Sequence, residues 1–398
     1  MRWILLKIKK MNRANIKYDI SDIFRNNLKE LTTLSKDKWK VINSIINCRT
    51  KALGGHINKC DTCNYEDQSY NSCRNRHCPK CGGLKKAKWL QRRLSELLPV
   101  EYFHVVFTIP SELNKITYYN KKIMYDLLFK CVKETLLESA LNEKNLGAEI
   151  GFMSILHTWG QQLNFHPHLH CVVPGGGLKG NTWIKSKKGF FIHVKKLSRL
   201  FRGKYLWYLK KYYNKNELAF YKETKKLKDR KEFQKYIDNL YSKEWVVYAK
   251  KPFAGPSQVL RYLSNYTHKI AISNYRIKKV ENGRVYFTWK DYRRKSKRKI
   301  MNLTTLEFMK RFLLHILPKR FMKIRMFGIY SNSRKKEKLS ICKELLKKEF
   351  KIKDIENTNE YIMKIISDYT RVKTNKCPKC KTGILVTKII NSFYVGGG

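Results

Sequence analysis

Phe165-His166-Pro167-His168-Leu169-His170-Cys171-Val172-Val173 places three of the chain's ten histidines at alternate positions. In an extended strand, alternate residues point to one face. Pro167 biases His166 toward extended backbone, and Leu169, Val172 and Val173 suit a buried strand. Two or three imidazoles converging from one strand are what a divalent cation needs. The plain alternative is a core strand that happens to be rich in histidine. It is costly, because each buried imidazole then needs its own hydrogen-bond partner.

Charge indicates what such a site would act on. The chain has 85 Lys and Arg against 31 Asp and Glu, a formal net charge of +54 over 398 residues. The excess runs along the whole length. It attracts polyanions and leaves the bare fold self-repelling. Aromatic residues make up 13% of the chain, interleaved with the bases, as single-stranded nucleic acid binding requires. An AT-rich genome would enrich Lys, Asn and Ile but would not explain the scarcity of Asp and Glu. The length allows two or three domains. No long uncharged apolar run is present, so no membrane span is expected. Met1–Lys10 lacks the cleavage site of a signal peptide. A cytoplasmic, nucleoid-associated protein of a bacterium or archaeon is expected, with its oligomeric state open.

The eleven cysteines fall largely into CxxC pairs, which in an intracellular chain suggests zinc, not disulfides. After a helical region over 15–55 comes His56-x3-Cys60-x2-Cys63-x9-Cys73-x3-His77-Cys78-x2-Cys81. Thiolate knuckles bind zinc tetrahedrally, and the metal supplies folding energy that a forty-residue segment lacks. The expectation is one zinc held by Cys60, Cys63, Cys78 and Cys81. Cys73 and His77 are then substitutes or ligands of a second ion. Arg74, Arg76, Lys85, Lys86, Arg92 and Arg93 make this module basic. A further pair, Cys377 and Cys380, is half a zinc ribbon, its partner Cys48, Cys342 or another chain. An empty knuckle is the other reading.

Between these pairs the pattern alternates strands and helices. Strands are expected over 102–110, 149–159, the histidine run and 245–253, with a helix over 111–141 and several short helices across 190–245. A hairpin turns at Asn282-Gly283, and Pro318 stops an amphipathic helix over 304–317. The helix expected at 258–269 carries Tyr262 and Tyr266, which at i, i+4 share one face. Two phenols on a basic helix can attack a phosphodiester, giving a 5′-phosphotyrosine and a free 3′-OH. A phenol with a pKa of about 10 needs help, which a histidine-bound metal would give by polarising the phosphate. Lys269 and His268 stand one turn on. Among 24 tyrosines such a spacing arises easily, and an aromatic packing stripe is the ordinary reading. The histidine strand gives the pair its weight.

LGGH at 53–56, YNSCRNRHCPKC at 70–81, HVVFTIP at 104–110, HTWGQ at 157–161, FHPHLHCVVPGGG at 165–177 and YLSNYTHK at 262–269 together resemble the two-tyrosine HUH rolling-circle transposases of the insertion-sequence ninety-one family. The resemblance covers roughly residues 20–330. It implies an α+β fold: an HUH endonuclease core, an antiparallel sheet flanked by helices, behind a transposase zinc-binding domain. The expected division is a helical region at 1–55, a zinc-binding domain at 56–98, the catalytic domain at 99–330 and a basic C-terminal region at 331–398. The resemblance implies nicking and rejoining of single-stranded DNA at element ends, with Mg²⁺ or Mn²⁺ at the histidines and Zn²⁺ in the N-terminal module. Carried over, His168 and His170 are the metal pair and Tyr262 and Tyr266 the nucleophiles. A third metal ligand is expected at His157, with Gln161 next and His166 also a candidate. His104 lines the site or supports the fold. A plasmid replication initiator shares the chemistry, and a non-catalytic zinc-dependent DNA-binding protein shares the charge.

Overall fold

The computed structural model describes residues 18–187, 192–253, 259, 270–291, 296–346 and 377–390. The fold is α+β, with antiparallel sheets and flanking helices. Helices α1 (Ile20–Asn26) and α2 (Lys36–Asn47) lead into strands β1 (Gly55–Cys60) and β2 (Glu66–Tyr70), then helix α3 (Gly83–Leu94). Strand β3 (Tyr102–Thr108) is followed by helices α4 (Asn114–Tyr119) and α5 (Lys121–Leu141), strands β4 (Gly151–Trp159) and β5 (Phe165–Pro174), and the small hairpin β6 (Gly176–Lys179) and β7 (Thr182–Lys185). Helices α6 (Val194–Asn214) and α7 (Arg230–Ser242) precede strand β8 (Val247–Phe253). The meander β9 (Ile277–Glu281), β10 (Arg284–Asp291) and β11 (Lys297–Thr304) runs into helix α8 (Thr305–Leu314). Strand β12 (Ile324–Gly328), helix α9 (Lys335–Leu345) and strand β13 (Leu385–Ile390) complete the described chain.

The central sheet is antiparallel, in the order β12-β4-β5-β3-β8. Period-two alternation gives it two different faces. Phe103, Val105, Phe107, Leu169, Cys171, Val173, Phe152 and Leu156 lie on one, packed against Leu128, Val132 and Leu136 of α5 and Phe201, Tyr205 and Leu209 of α6. Helix α5 has eleven buried residues spread around its circumference, as a helix sandwiched between a sheet and a second helix must. The other face carries the histidines, with a smaller apolar group of Leu90, Leu97, Met153, Ile155, Val172 and Val259 beside them.

Pro167 is in the middle strand yet breaks no ladder. The β3–β5 register ends at Thr108↔His168, and the β4–β5 register is irregular between His157 and Trp159. The missing N–H therefore falls at a bulge and beyond a strand end, where proline is tolerated.

A second core joins α1 and α2 to the meander and α8, through Ile20, Phe24, Ile42 and Ile45 against Val285, Phe287, Phe308 and Phe312. Asp19 caps α1 at the Ser21 N–H, and Thr304 caps α8 at the Glu307 N–H. The β9–β10 turn places Asn282 at φ 47° and Gly283 at φ 67°, the paired left-handed geometry for which Asn-Gly is suited.

The region 190–245 differs from expectation. Its main helices are 21 and 13 residues long, not several short ones, because their apolar residues pack as one layer on the central sheet. Strands β1, β2, β6, β7, β11, β12 and β13 are additions, and β13 lies antiparallel to β1, from Gly55↔Ile390 to Cys60↔Leu385.

Leu169 is fully buried directly behind the histidine pair. Leu169→Ala should lower unfolding free energy by about 2–5 kcal/mol in a denaturant titration; a loss under about 1 kcal/mol would mean that the back face does not hold β5.

Candidate metal centre and zinc module

Strand register assembles the histidine site. His157 of β4 stands directly opposite His168 of β5, and His170 follows two residues on along the same face. Ligand atoms of His157, His168 and His170 all lie within 4.8 Å of one another. His157 and His170 are buried, while His168 is half-buried at the open end of the strand.

The hydrogen bonds around the three rings fit cation binding. His168 Nδ1 lies 2.7 Å from the His166 carbonyl oxygen. A carbonyl only accepts, so Nδ1 carries the proton and Nε2 presents its lone pair. His170 Nδ1 lies 2.8 Å from His104 Nε2. With a proton on His170 Nδ1, its Nε2 is also free to ligate, and the two Nε2 atoms are 3.0 Å apart. An octahedral site with ligands at about 2.1 Å has an edge of about 3.0 Å. His157 is held by stacking on Trp159, with ring centroids 4.6 Å apart. His104 thus acts behind His170 and not in the ligand set. Burial holds His166 below the usual histidine range.

Gln161 does not continue the face of His157. Strand β4 ends at Trp159, and Gly160 turns the chain away. The Gln161 Oε1 accepts a hydrogen bond from the Lys290 N–H at 3.4 Å. Tyr262, Tyr266 and Lys269 lie outside the described residues.

The cysteines assemble differently from the expected single knuckle pair. Cys48, Cys73, Cys78 and Cys81 form one cluster, and Cys60, Cys63, Cys377 and Cys380 form another. Cys60 and Cys63 therefore do not join Cys78 and Cys81, and Cys48 is not the partner of the C-terminal pair. Sulfur separations are 3.6 Å for Cys73–Cys81, 3.7 Å for Cys60–Cys380 and 3.6 Å for Cys63–Cys377. These match the edge of a tetrahedron with Zn–S bonds of about 2.3 Å, roughly 3.8 Å, and are far longer than a disulfide. Hydrogen bonding from Cys73 drives the Cys48 thiol strongly down, while hydrogen bonding to Cys48 drives the Cys78 thiol strongly up. Four sulfurs this close cannot all be thiolate without a cation between them.

His77 is not a member of either cluster. Its Nε2 accepts the Leu317 N–H at 3.4 Å, and burial, with the nearby Arg76 charge, pushes its pKa down to about 3. It helps to line a small cleft with Arg76, His315, Leu317, Lys323 and Trp159, the ring that stacks on His157. His315, buried between Thr158 and the Leu163 carbonyl, is likewise pushed down to about 3 by burial. The cleft is therefore positively charged through Arg76 and Lys323, and burial lowers Lys323 to about 8.

Two residues to which the sequence gives no definite place complete these sites. Cys48 carries no spacing signal, standing 25 positions before Cys73. The contact between His104 and His170 follows only from the β3–β5 register, which sets Val106 opposite His170 and His104 opposite Val172.

Residues 151–338 match a family model described as "Putative transposase", and residues 20–109 match the transposase zinc-binding domain. The chain is 44% identical over 375 residues to "Putative transposase y4qJ" of Sinorhizobium fredii, covering 93% of this chain and 94% of that protein. It is 25% identical over 369 residues to the transposase for insertion sequence element IS801 of Pseudomonas savastanoi pv. phaseolicola, covering 90% of this chain and 85% of that protein. No solved structure matches.

If His104 orients His170, His104→Ala should weaken Mn²⁺ binding about 10–100-fold while leaving the circular dichroism spectrum unchanged. Calorimetric titration with Mn²⁺ measures this, and unaltered affinity would remove His104 from the site.

Proposed function

This chain belongs to the insertion-sequence ninety-one family of transposases, and on that premise we propose that it nicks and rejoins single-stranded DNA at element ends through a 5′-phosphotyrosine intermediate. DNA is its partner. The observation that carries the reading is the convergence of His157, His168 and His170 across two paired strands.

Those three imidazoles would hold Mg²⁺ or Mn²⁺, which polarises the scissile phosphate and stabilises the charge that develops on it. The His166 carbonyl fixes the tautomer of His168, and His104 Nε2 lies within hydrogen-bond distance of His170 Nδ1. In the proposed step the phenolic oxygen of Tyr262 or Tyr266 bonds to phosphorus, the bond to the 3′-oxygen breaks, and that oxygen leaves as a hydroxyl. Rejoining reverses the step, with a 3′-hydroxyl displacing the tyrosine, so no external energy source is needed. Two nucleophiles let the enzyme keep one DNA end while cutting a second. Lys269, one turn beyond Tyr266 in the expected helix, would stabilise the phenolate or the phosphate.

The position of Val259 supports this assignment. It is fully buried and packs with Met153, Ile155 and Val172 on the histidine face of the sheet. Tyr262 follows three residues later in the sequence. The excess of 85 Lys and Arg over 31 Asp and Glu supports a polyanionic substrate. Basic side chains would contact phosphates without reading sequence.

Incubation of the chain with labelled single-stranded element ends and Mg²⁺ should yield a covalent adduct on a denaturing gel. His168→Ala and His170→Ala should each abolish it while DNA affinity stays within a few-fold, because Lys and Arg contacts carry binding. Full cleavage by the double alanine variant would refute the metal assignment.

Tyr262→Phe or Tyr266→Phe alone should leave some cleavage while strand transfer falls sharply, and the double variant should form no adduct. Peptide mapping identifies the linked residue; a DNA-bound tyrosine elsewhere overturns the mechanism.

A further inference from the structure

We propose that Cys60, Cys63, Cys377 and Cys380 hold a zinc ion of their own, which clasps the C-terminal strand onto the zinc module and is released more readily than the zinc of Cys48, Cys73, Cys78 and Cys81. The family's zinc-binding region ends at residue 109, and the matched transposase region ends at 338, so neither contains the C-terminal pair. The inference stands apart from the DNA chemistry.

The two halves of this site are built alike. Cys60 Sγ accepts the Thr62 and Cys63 N–H groups at 3.4 and 3.3 Å. Cys377 Sγ accepts the Lys379 N–H at 3.4 Å, and Cys380 Sγ accepts the Gly383 N–H at 3.3 Å. Each loop thus turns backbone donors onto sulfur, the arrangement that stabilises thiolate. The loops are also locked to each other. The Asp61 N–H donates to the Ile384 carbonyl at 3.1 Å, and the Ile384 N–H donates to Asp61 Oδ1 at 2.8 Å. Gly383 lies so close that an added Cβ would come within 2.5 Å of Cys60 Sγ.

Apolar packing does not explain the attachment of this strand. In β13, Val386 and Ile389 are exposed, the latter at 84%. A strand that buries so little needs another source of stability, and four converging sulfurs supply one. The other cluster differs in its surroundings. Cys48 and Cys78 belong to the second hydrophobic core, with Ile20, Phe24, Ile45 and Phe312, and Cys73 and Cys81 pack against it. Among the described residues, no hydrophobic core cluster contains Cys60 or Cys377. A chelator therefore reaches the clasp first, whereas the embedded ion is released only when that core opens.

Metal analysis of the full chain should give two zinc ions, matching the two clusters. A colorimetric chelator should remove them in two phases of equal size. The Cys377→Ser/Cys380→Ser variant should hold one zinc and show only the slow phase. Should that variant not fold, the unsubstituted chain still decides the matter, because refolding with Co²⁺ should develop tetrathiolate absorption up to two equivalents. One zinc in the intact chain, two in the double variant, or saturation at one equivalent of Co²⁺ overturns the proposal. Two zinc ions released in a single phase overturn the difference in lability.

Discussion

The pairing register between β4 and β5 is the constraint on which the rest depends. It sets His157 opposite His168 and Leu156 opposite Leu169, so that one face carries imidazoles and the other carries core. A slip of one residue would turn His168 and His170 into the apolar layer under α5 and α6 and bring Leu169 out to the metal. The back face is what forbids this. Burying each Leu or Phe there is worth about 1.5–3 kcal/mol, and Phe103, Phe107, Phe152, Leu169 and Val173 all contribute. Imidazoles gain much less from burial, so the register is set by the apolar residues and the metal site inherits it. The bulge beside Pro167 comes where the ladder is no longer needed, and it leaves His168 accessible at the strand end.

The elements that shape this site were legible because each carries a strong local signal. The HVVFTIP run, the alternating histidines and the Asn-Gly turn identify β3, β5 and the hairpin of β9 and β10 through period, propensity and φ requirements. Strand β11 was not legible. Its sequence KRKIMNLT is heavily charged, and only Lys299, Met301 and Leu303 are partly covered. Strand β12 is five residues long, too short for any period to register. Its Gly328, at φ 61°, is needed because a Cβ would come within 1.8 Å of the Ile150 carbonyl oxygen. Within the site, alternation gave His168 and His170, and the neighbouring strand gave His157. The role of His104 depends on a register between strands more than sixty residues apart, which no local pattern encodes.

Cysteine pairing shows the same boundary. Spacing identifies a knuckle but not its partner, because a CxxC pair is satisfied by any second pair that the fold delivers. Here the nearer pair in sequence is the wrong one. Cys78 and Cys81 take Cys73 and Cys48, leaving Cys60 and Cys63 to meet Cys377 and Cys380 across 314 and 320 residues. Closing a loop of that length costs roughly 6 kcal/mol in chain entropy. Structural zinc contributes about 10–16 kcal/mol in small modules, which exceeds that cost with enough left to order a strand that buries little of its own surface.

Electrostatics ties the zinc module to the rest of the chain. A zinc ion with four thiolates carries a net charge of roughly −2, so two such sites place negative charge inside a chain whose formal balance is +54. The bases beside the ligands in sequence, Lys59, Lys379 and Lys381 at one cluster and Arg74, Arg76 and Lys80 at the other, stand where they offset it. Some are already committed: Lys80 pairs with Asp19 at 3.2 Å, and an Arg76 Nη donates to the Phe321 carbonyl at 2.7 Å. These residues are thereby held to the N-terminus of α1 and to the loop before β12. The remaining bases have too few carboxylates to meet, because ion pairs can engage at most 31 acidic residues against 85 basic ones. A surplus of that size is relieved by a polyanion, which the DNA partner of a transposase supplies.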